Sequence, residues 1–149
     1  MNLDTKLSAH FTLREATFSA TATKEGIPNL PSPATLEVMK DTAIKMEAVR
    51  AILQCNPILV TSWFRSLDLN KRIGGVKTSQ HTKGEAVDFI CPSWGSPKLV
   101  CLALMDSKDI LMYDQLILEP SWIHISFVSA NPRMTELTYR NNIYHKGLL

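Results

Sequence analysis

The chain holds only three cysteines, Cys55, Cys91 and Cys101. An odd number without a CxxC unit excludes complete internal disulfide pairing and any cysteine-pair zinc or redox motif. They read as reduced and mostly buried residues, with Cys91 close enough in sequence to Asp88 to approach a metal held there. Long apolar runs are missing too. Stretches such as Pro57 to Val60 and Leu116 to Leu118 fall far short of the roughly 20 residues that cross a bilayer. The opening residues, Met1 to Lys6, lack the apolar segment of a secretory leader. Charge of one sign is scarce: 16 basic residues against 14 acidic ones leave +2, which does not argue for a nucleic-acid partner. An HExxH helix, a GxxxxGK phosphate loop and a nucleophile elbow are absent, as are internal repeats and low-complexity tracts.

What is present suits a folded chain of single-domain size. With 149 residues, 45% hydrophobic and 20% charged, the composition predicts one globular domain over residues 1–149, monomeric, with a less ordered end from about residue 140. Thr12 and Glu15 form the two ends of a capping box. Thr17 to Thr23 reads as a loop. Ser32-Pro33 is a cap followed by proline, and Leu36, Met39, Ala43, Met46 and Leu53 recur at helical spacing, predicting a helix from Pro33 to Gln54. Ile58 to Phe64 reads as a strand, Arg65 to Gln80 as a long polar connection. A further strand carries Ala86 to Ile90, followed by a helix from Lys98 to Ser107 and strands at Gln115 to Glu119 and Trp122 to Val128, separated by Pro120. A short helix is expected from Arg133 to Tyr139. This order predicts an α+β fold with a small, largely antiparallel sheet packed with helices.

Chemistry concentrates in two segments. In Ser79-Gln80-His81-Thr82-Lys83-Gly84-Glu85-Ala86-Val87-Asp88, a histidine at a loop end precedes an aspartate set between Val87 and Phe89. An ionised carboxylate in an apolar strand needs a partner, and a metal supplies one. In Trp122-Ile123-His124-Ile125-Ser126-Phe127, strand alternation sends Ile123, Ile125 and Phe127 to the core and His124 toward a cleft. His81, Asp88 and His124 together make a three-ligand zinc site with room for water. The spacing alone leaves open a loop histidine at 81 and a hydrogen-bonded core histidine at 124. His10 and His145 read as surface or structural residues.

The two segments match the SxHxxGxAxD and WxHxS patterns through Ser79, His81, Gly84, Ala86 and Asp88, and through Trp122, His124 and Ser126. On these residues the chain resembles the M15 family of zinc peptidases, most closely its compact phage and bacterial branch, related to D-alanyl-D-alanine carboxypeptidases and endolysins. The resemblance implies Zn2+ on His81, Asp88 and His124, and a substrate in peptidoglycan stem peptides or cross-links involving a D-amino acid. It also implies synthesis in a host cytoplasm, with action at the cell wall after phage-mediated release or virion delivery. Arg65 matches the family's SxxR arginine and becomes a candidate for binding a substrate carboxylate. Ser79, Gln80, Trp122 and Ser126 stand as further substrate-binding candidates.

Hydrolysis by water also needs a carboxylate to move the proton. Glu119 is the first choice, because it ends a strand just before the turn that returns to His124. The family's ExxH glutamate position is occupied here by Ser121, which leaves Glu85 and Asp114 as alternatives, both of which otherwise read as surface or turn residues. Two other functions fit the same residues. A catalytically weak, zinc-stabilised cell-wall-binding or phage structural module would keep the cage without the carboxylate; a cytoplasmic D-amino-acid dipeptidase would fit the missing leader.

Overall fold

The computed structural model describes residues Met1 to Leu149. Its order begins α1 (Leu13–Thr17), α2 (Ala20–Glu25), α3 (Pro33–Ile52), β1 (Leu59–Ser62) and α4 (Leu67–Arg72). A 3-10 turn at Gln80–Lys83 leads into β2 (Ala86–Ile90), α5 (Pro97–Asp106) and α6 (Lys108–Leu111). The chain closes with β3 (Gln115–Leu118), β4 (Ile123–Ser126), β5 (Thr135–Arg140) and β6 (Ile143–Lys146). The six strands form one sheet in the order β1-β2-β4-β3-β5-β6. All neighbours are antiparallel except β3 and β5. This is the α+β architecture expected, with helices packed on a mostly antiparallel sheet.

Local signals explain the helix starts. The Thr12 hydroxyl accepts from the Glu15 backbone N–H while the Glu15 carboxylate accepts from the Thr12 N–H, the reciprocal capping box. Ser32 and Ser96 cap α3 and α5, each with proline in the first turn. Helix α3 buries Met39, Ala43, Met46 and Val49 completely against the core. That core is a single cluster reaching from Leu7 to Phe127, and it takes Val87 and Phe89 from β2 with Ile123 and Ile125 from β4. The opposite face of the same two strands is therefore left for Asp88 and His124.

Three sequence expectations are corrected. Part of the supposed loop from Thr17 to Thr23 is helical, because Ser19 caps the Ala22 N–H and Gly26, at φ 67°, ends the helix. The polar connection from Arg65 to Gln80 contains α4, capped by Ser66 and anchored by buried Leu69. The tail after Pro132 is a hairpin rather than a short helix and a loose end: Asn141 and Asn142, at φ 55° and 61°, make the tight reversal between β5 and β6. The cysteines are free and mostly buried as expected: Cys91 and Cys101 pack in the core cluster, Cys55 is exposed, and Cys91 is not part of the His81, Asp88 and His124 group. No helix is long and apolar enough to cross a membrane.

Gly84 joins fold to site. It closes the 3-10 turn at φ 77°, and a Cβ there would meet Met39 Cγ at 2.6 Å. Its carbonyl accepts hydrogen bonds from Thr42 Oγ1 at 3.0 Å and the Trp63 indole at 3.1 Å. Gly84→Ala is expected to lower stability by about 2 kcal/mol or more, from left-handed backbone strain plus the clash. The check is the urea midpoint; a value unchanged from the parent would contradict this account.

Candidate metal centre

Three side chains reach one point from two strands and one turn. Asp88 on β2 lies directly opposite His124 on β4, and the His124 Nδ1 is 2.8 Å from Asp88 Oδ1. His81 comes from the 3-10 turn, and its Nε2 stands 3.3 Å from Asp88 Oδ2. One donor atom from each residue can be chosen so that all lie within 4.8 Å of one another, a group that could hold a metal ion. His81 and Asp88 are buried, at 3% and 7% exposure; His124 is partly exposed to the cleft.

The donor chemistry fits a cation. The His81 Nδ1 lies 2.6 Å from the Trp63 backbone carbonyl. A carbonyl oxygen only accepts, so Nδ1 carries the proton and a neutral ring turns its bare Nε2 lone pair toward Asp88. Two acceptors then face one another across 3.3 Å, an arrangement that needs a proton or a metal ion between them. A backbone acceptor behind a ligating imidazole is also what orients such rings in metal sites. Burial pushes the Asp88 carboxyl up, but the hydrogen bond from His124 opposes it, and His81 adds to the lowering when its Nε2 is protonated, so the group is held well below the usual carboxylate range. Burial lowers the basicity of His81, only partly offset by Asp88, which favours the neutral ring a metal requires. Two imidazoles and one carboxylate make a zinc-type donor set with a position left for water.

The other expected residues divide into those at the cleft and those away from it. The cleft over the cluster encloses about 460 Å³, and Arg65, Ser79, Gln80, Glu119 and Trp122 line it with His81, Asp88 and His124. Arg65 Nη2 is 3.8 Å from Asp88 Oδ2, with Ser62 and Asn70 also accepting from its guanidinium at 3.4 Å. Glu119 follows β3 at the two-residue turn, its N–H donating to the Trp122 carbonyl at 3.1 Å. Because Ile117 pairs with His124, strand alternation continued by two residues brings Glu119 to the His124 face. The half-buried Glu119 carboxyl is pushed up by burial and then by the charge of Asp88, with His124 opposing.

Ser126 does not line the cleft. It is fully buried, and its hydroxyl accepts from the Gln115 N–H at 3.1 Å. Ser79 accepts from the His81 N–H and so shapes the turn. Gln80 donates to both Glu85 and Asp114, at 3.0 and 3.1 Å. Asp114 and Glu85 therefore serve as anchors outside the cleft lining. His10 bonds Glu47 at 2.8 Å and ties the N-terminal segment to α3, while His145 meets the Arg140 carbonyl.

Among the cleft residues that escaped the sequence reading are Arg133 and Tyr144. Both belong to the C-terminal stretch taken for a helix and a loose end. The available signal was Asn141-Asn142 between residues of strand type, which marks a two-residue hairpin.

Asp114 carries a pH prediction. Hydrogen bonds from Arg133 lower its carboxyl, against the opposing effect of burial. A depressed folded value means that the contribution to stability is complete above the unfolded value, about pH 4, and is lost as pH falls through the folded value. Asp114→Asn should therefore destabilise the protein at pH 6 and less so near pH 3. Urea titrations at the two pH values test this; a penalty that grew toward pH 3 would refute it.

The family model for peptidase M15 matches residues 9–126, from the loop before α1 to the end of β4. No curated protein matches the chain significantly. The matched span contains the whole His-Asp-His cluster, Arg65 and Glu119, and on that span the chain belongs to the peptidase M15 family.

Proposed function

We propose that the protein is a zinc-dependent peptidase that hydrolyses peptide bonds of bacterial peptidoglycan involving a D-amino acid. The observation carrying this reading is the convergence of His81, Asp88 and His124, with opposed lone pairs that call for a cation, in a chain of the M15 family. Zinc bound there would acidify water and polarise the scissile carbonyl.

The chain's own residues supply the rest. Trp63 and Asp88 hold the two imidazoles in orientation. The Glu119 carboxylate, raised in basicity by burial, takes the proton of the attacking water and returns it to the departing amine. The new C–O bond forms as the C–N bond breaks, so the products are an acid and an amine. Arg65 holds a carboxylate or carbonyl oxygen of the substrate through the N–H groups not used by Ser62 and Asn70. Trp122 walls the cleft. The phage or bacterial wall-lytic setting belongs to the same proposal and rests on the sequence resemblance alone.

The test is mass spectrometry of purified peptidoglycan after incubation with metal-replete protein, beside a chelated control. Metal-dependent release of peptide fragments is expected. Unchanged muropeptides in the presence of bound metal would replace this reading with that of a wall-binding or structural module.

A further inference from the structure

The cleft extends to both sides of the metal cluster. Asp88, His124 and Ile117 stand in one row across β2, β4 and β3. Gln115 lies two residues along β3 on one side of that row and Glu119 two residues on the other, about 7 Å each way at the rise of a strand. Both line the cleft. A site that only trims a chain end needs depth on one side of the reacting bond, whereas this one has wall on two.

Each end of the cleft carries a group from residues beyond the 9–126 span that matches the family. At the Gln115 end stands Arg133. Its Nε and Nη2 donate to Asp114 at 3.0 and 2.6 Å, and its backbone N–H donates to the same carboxylate at 2.9 Å. Asp114 is nearly fully buried and also accepts from Gln80, so the arginine is held from behind. Its side chain is nevertheless 58% exposed, and none of these bonds uses Nη1. At the Glu119 end stands Tyr144, braced against Tyr139 with ring centroids 4.7 Å apart. The C-terminal hairpin thus turns a metal cleft into a two-ended groove.

We infer that the chain cleaves internal bonds of acidic peptides, with a substrate carboxylate docked on the Nη1 edge of Arg133 and the other arm of the peptide passing Glu119 along Tyr144. This rests on the peptidase reading above and specifies its substrate. Asp114, the anchor of Arg133, is three residues from Ile117 on the strand path, so the carboxylate sits about 10 Å from the scissile amide, roughly three extended residues away. Arg133 is a specificity-determining residue here and takes no part in bond breaking.

The experiment uses peptides blocked at both ends, each with one D-amino-acid scissile bond. Glu or isosteric Gln is placed at each of the four positions on either side. Two quantities are read: kcat and KM with the metal-replete full chain, and calorimetric binding of N-methylated, uncleavable peptides to the metal-free chain. Glu at one position near the third residue should improve KM and binding about tenfold over Gln with little change in kcat. Arg133→Gln should level the two peptides. Because that change strands a buried Asp114, the pair Asp114→Asn with Arg133→Gln repeats the comparison without the stranded charge and should level them as well.

Equal use of Glu and Gln peptides at every position would overturn the docking site, as would a preference that survives both variants. Intact blocked peptides, beside trimming of the same peptides with a free C-terminus, would overturn internal cleavage. A Glu preference in binding without any hydrolysis would support the docking site and sink the peptidase reading, so the two failures are distinguishable.

Discussion

His124→Ala is expected to lose bound metal and peptide hydrolysis together. The substitution removes one of three donor groups and leaves the buried Asp88 without its 2.8 Å partner. Removing even an outer partner of a metal ligand costs about 10- to 100-fold in affinity, so loss of the ligand itself should exceed 100-fold. The fold should survive, because the neighbouring Ile123 and Ile125 supply the core contacts of β4 while His124 faces the cleft. Metal content after gel filtration, read beside circular dichroism and turnover, makes the comparison. A variant that keeps stoichiometric metal and full activity would remove His124 from the ligand set.

Glu119→Gln should behave in the opposite way, with metal retained and turnover reduced by about 10²- to 10⁴-fold, the usual worth of a positioned proton acceptor. Glutamine fills the same space but cannot take a proton from water. The substitution also removes a carboxyl that burial and the charge of Asp88 disfavour in its ionised form. The sign follows: a raised folded value means that ionised Glu119 weakens the fold at neutral pH, so Gln should hold or raise the unfolding midpoint there. Lost activity with an undiminished midpoint would separate a chemical role from a structural one. Turnover equal to the parent's would end the assignment and return the question to the other acidic residues.

How much of this was legible in advance follows from how locally each feature is encoded. Ser32-Pro33 and Ser96-Pro97 announce α3 and α5 because a cap and a fixed φ act within one turn of chain. Asp88 and His124 announce their face because strand side chains alternate, and apolar neighbours identify the other face as core. The parallel pairing of β3 with β5 has no such signature, since the partners are about twenty residues apart and only the assembled sheet joins them. Reading Arg133 to Tyr139 as helical hid that pairing, and with it Arg133 and Tyr144 at the cleft. Ser126 shows the reverse limit. Alternation placed it on the face of His124 correctly, yet burial under the Gln115 backbone removes it from the substrate's reach.

The direct opposition of Asp88 and His124 has a consequence for how the sheet assembles. Side-chain direction alternates at every residue, so a pairing displaced by one position would turn Asp88 or His124 into the interior. On the proposed ligand set, an ion can bridge only the strands aligned as they are here. Its binding therefore deepens the native basin alone, by RT ln(1 + [metal]/Kd), and leaves misaligned competitors where they were. The ion that serves chemistry in the finished protein would also act as a proofreader of strand alignment, and chains matured without it should contain a larger misaligned fraction.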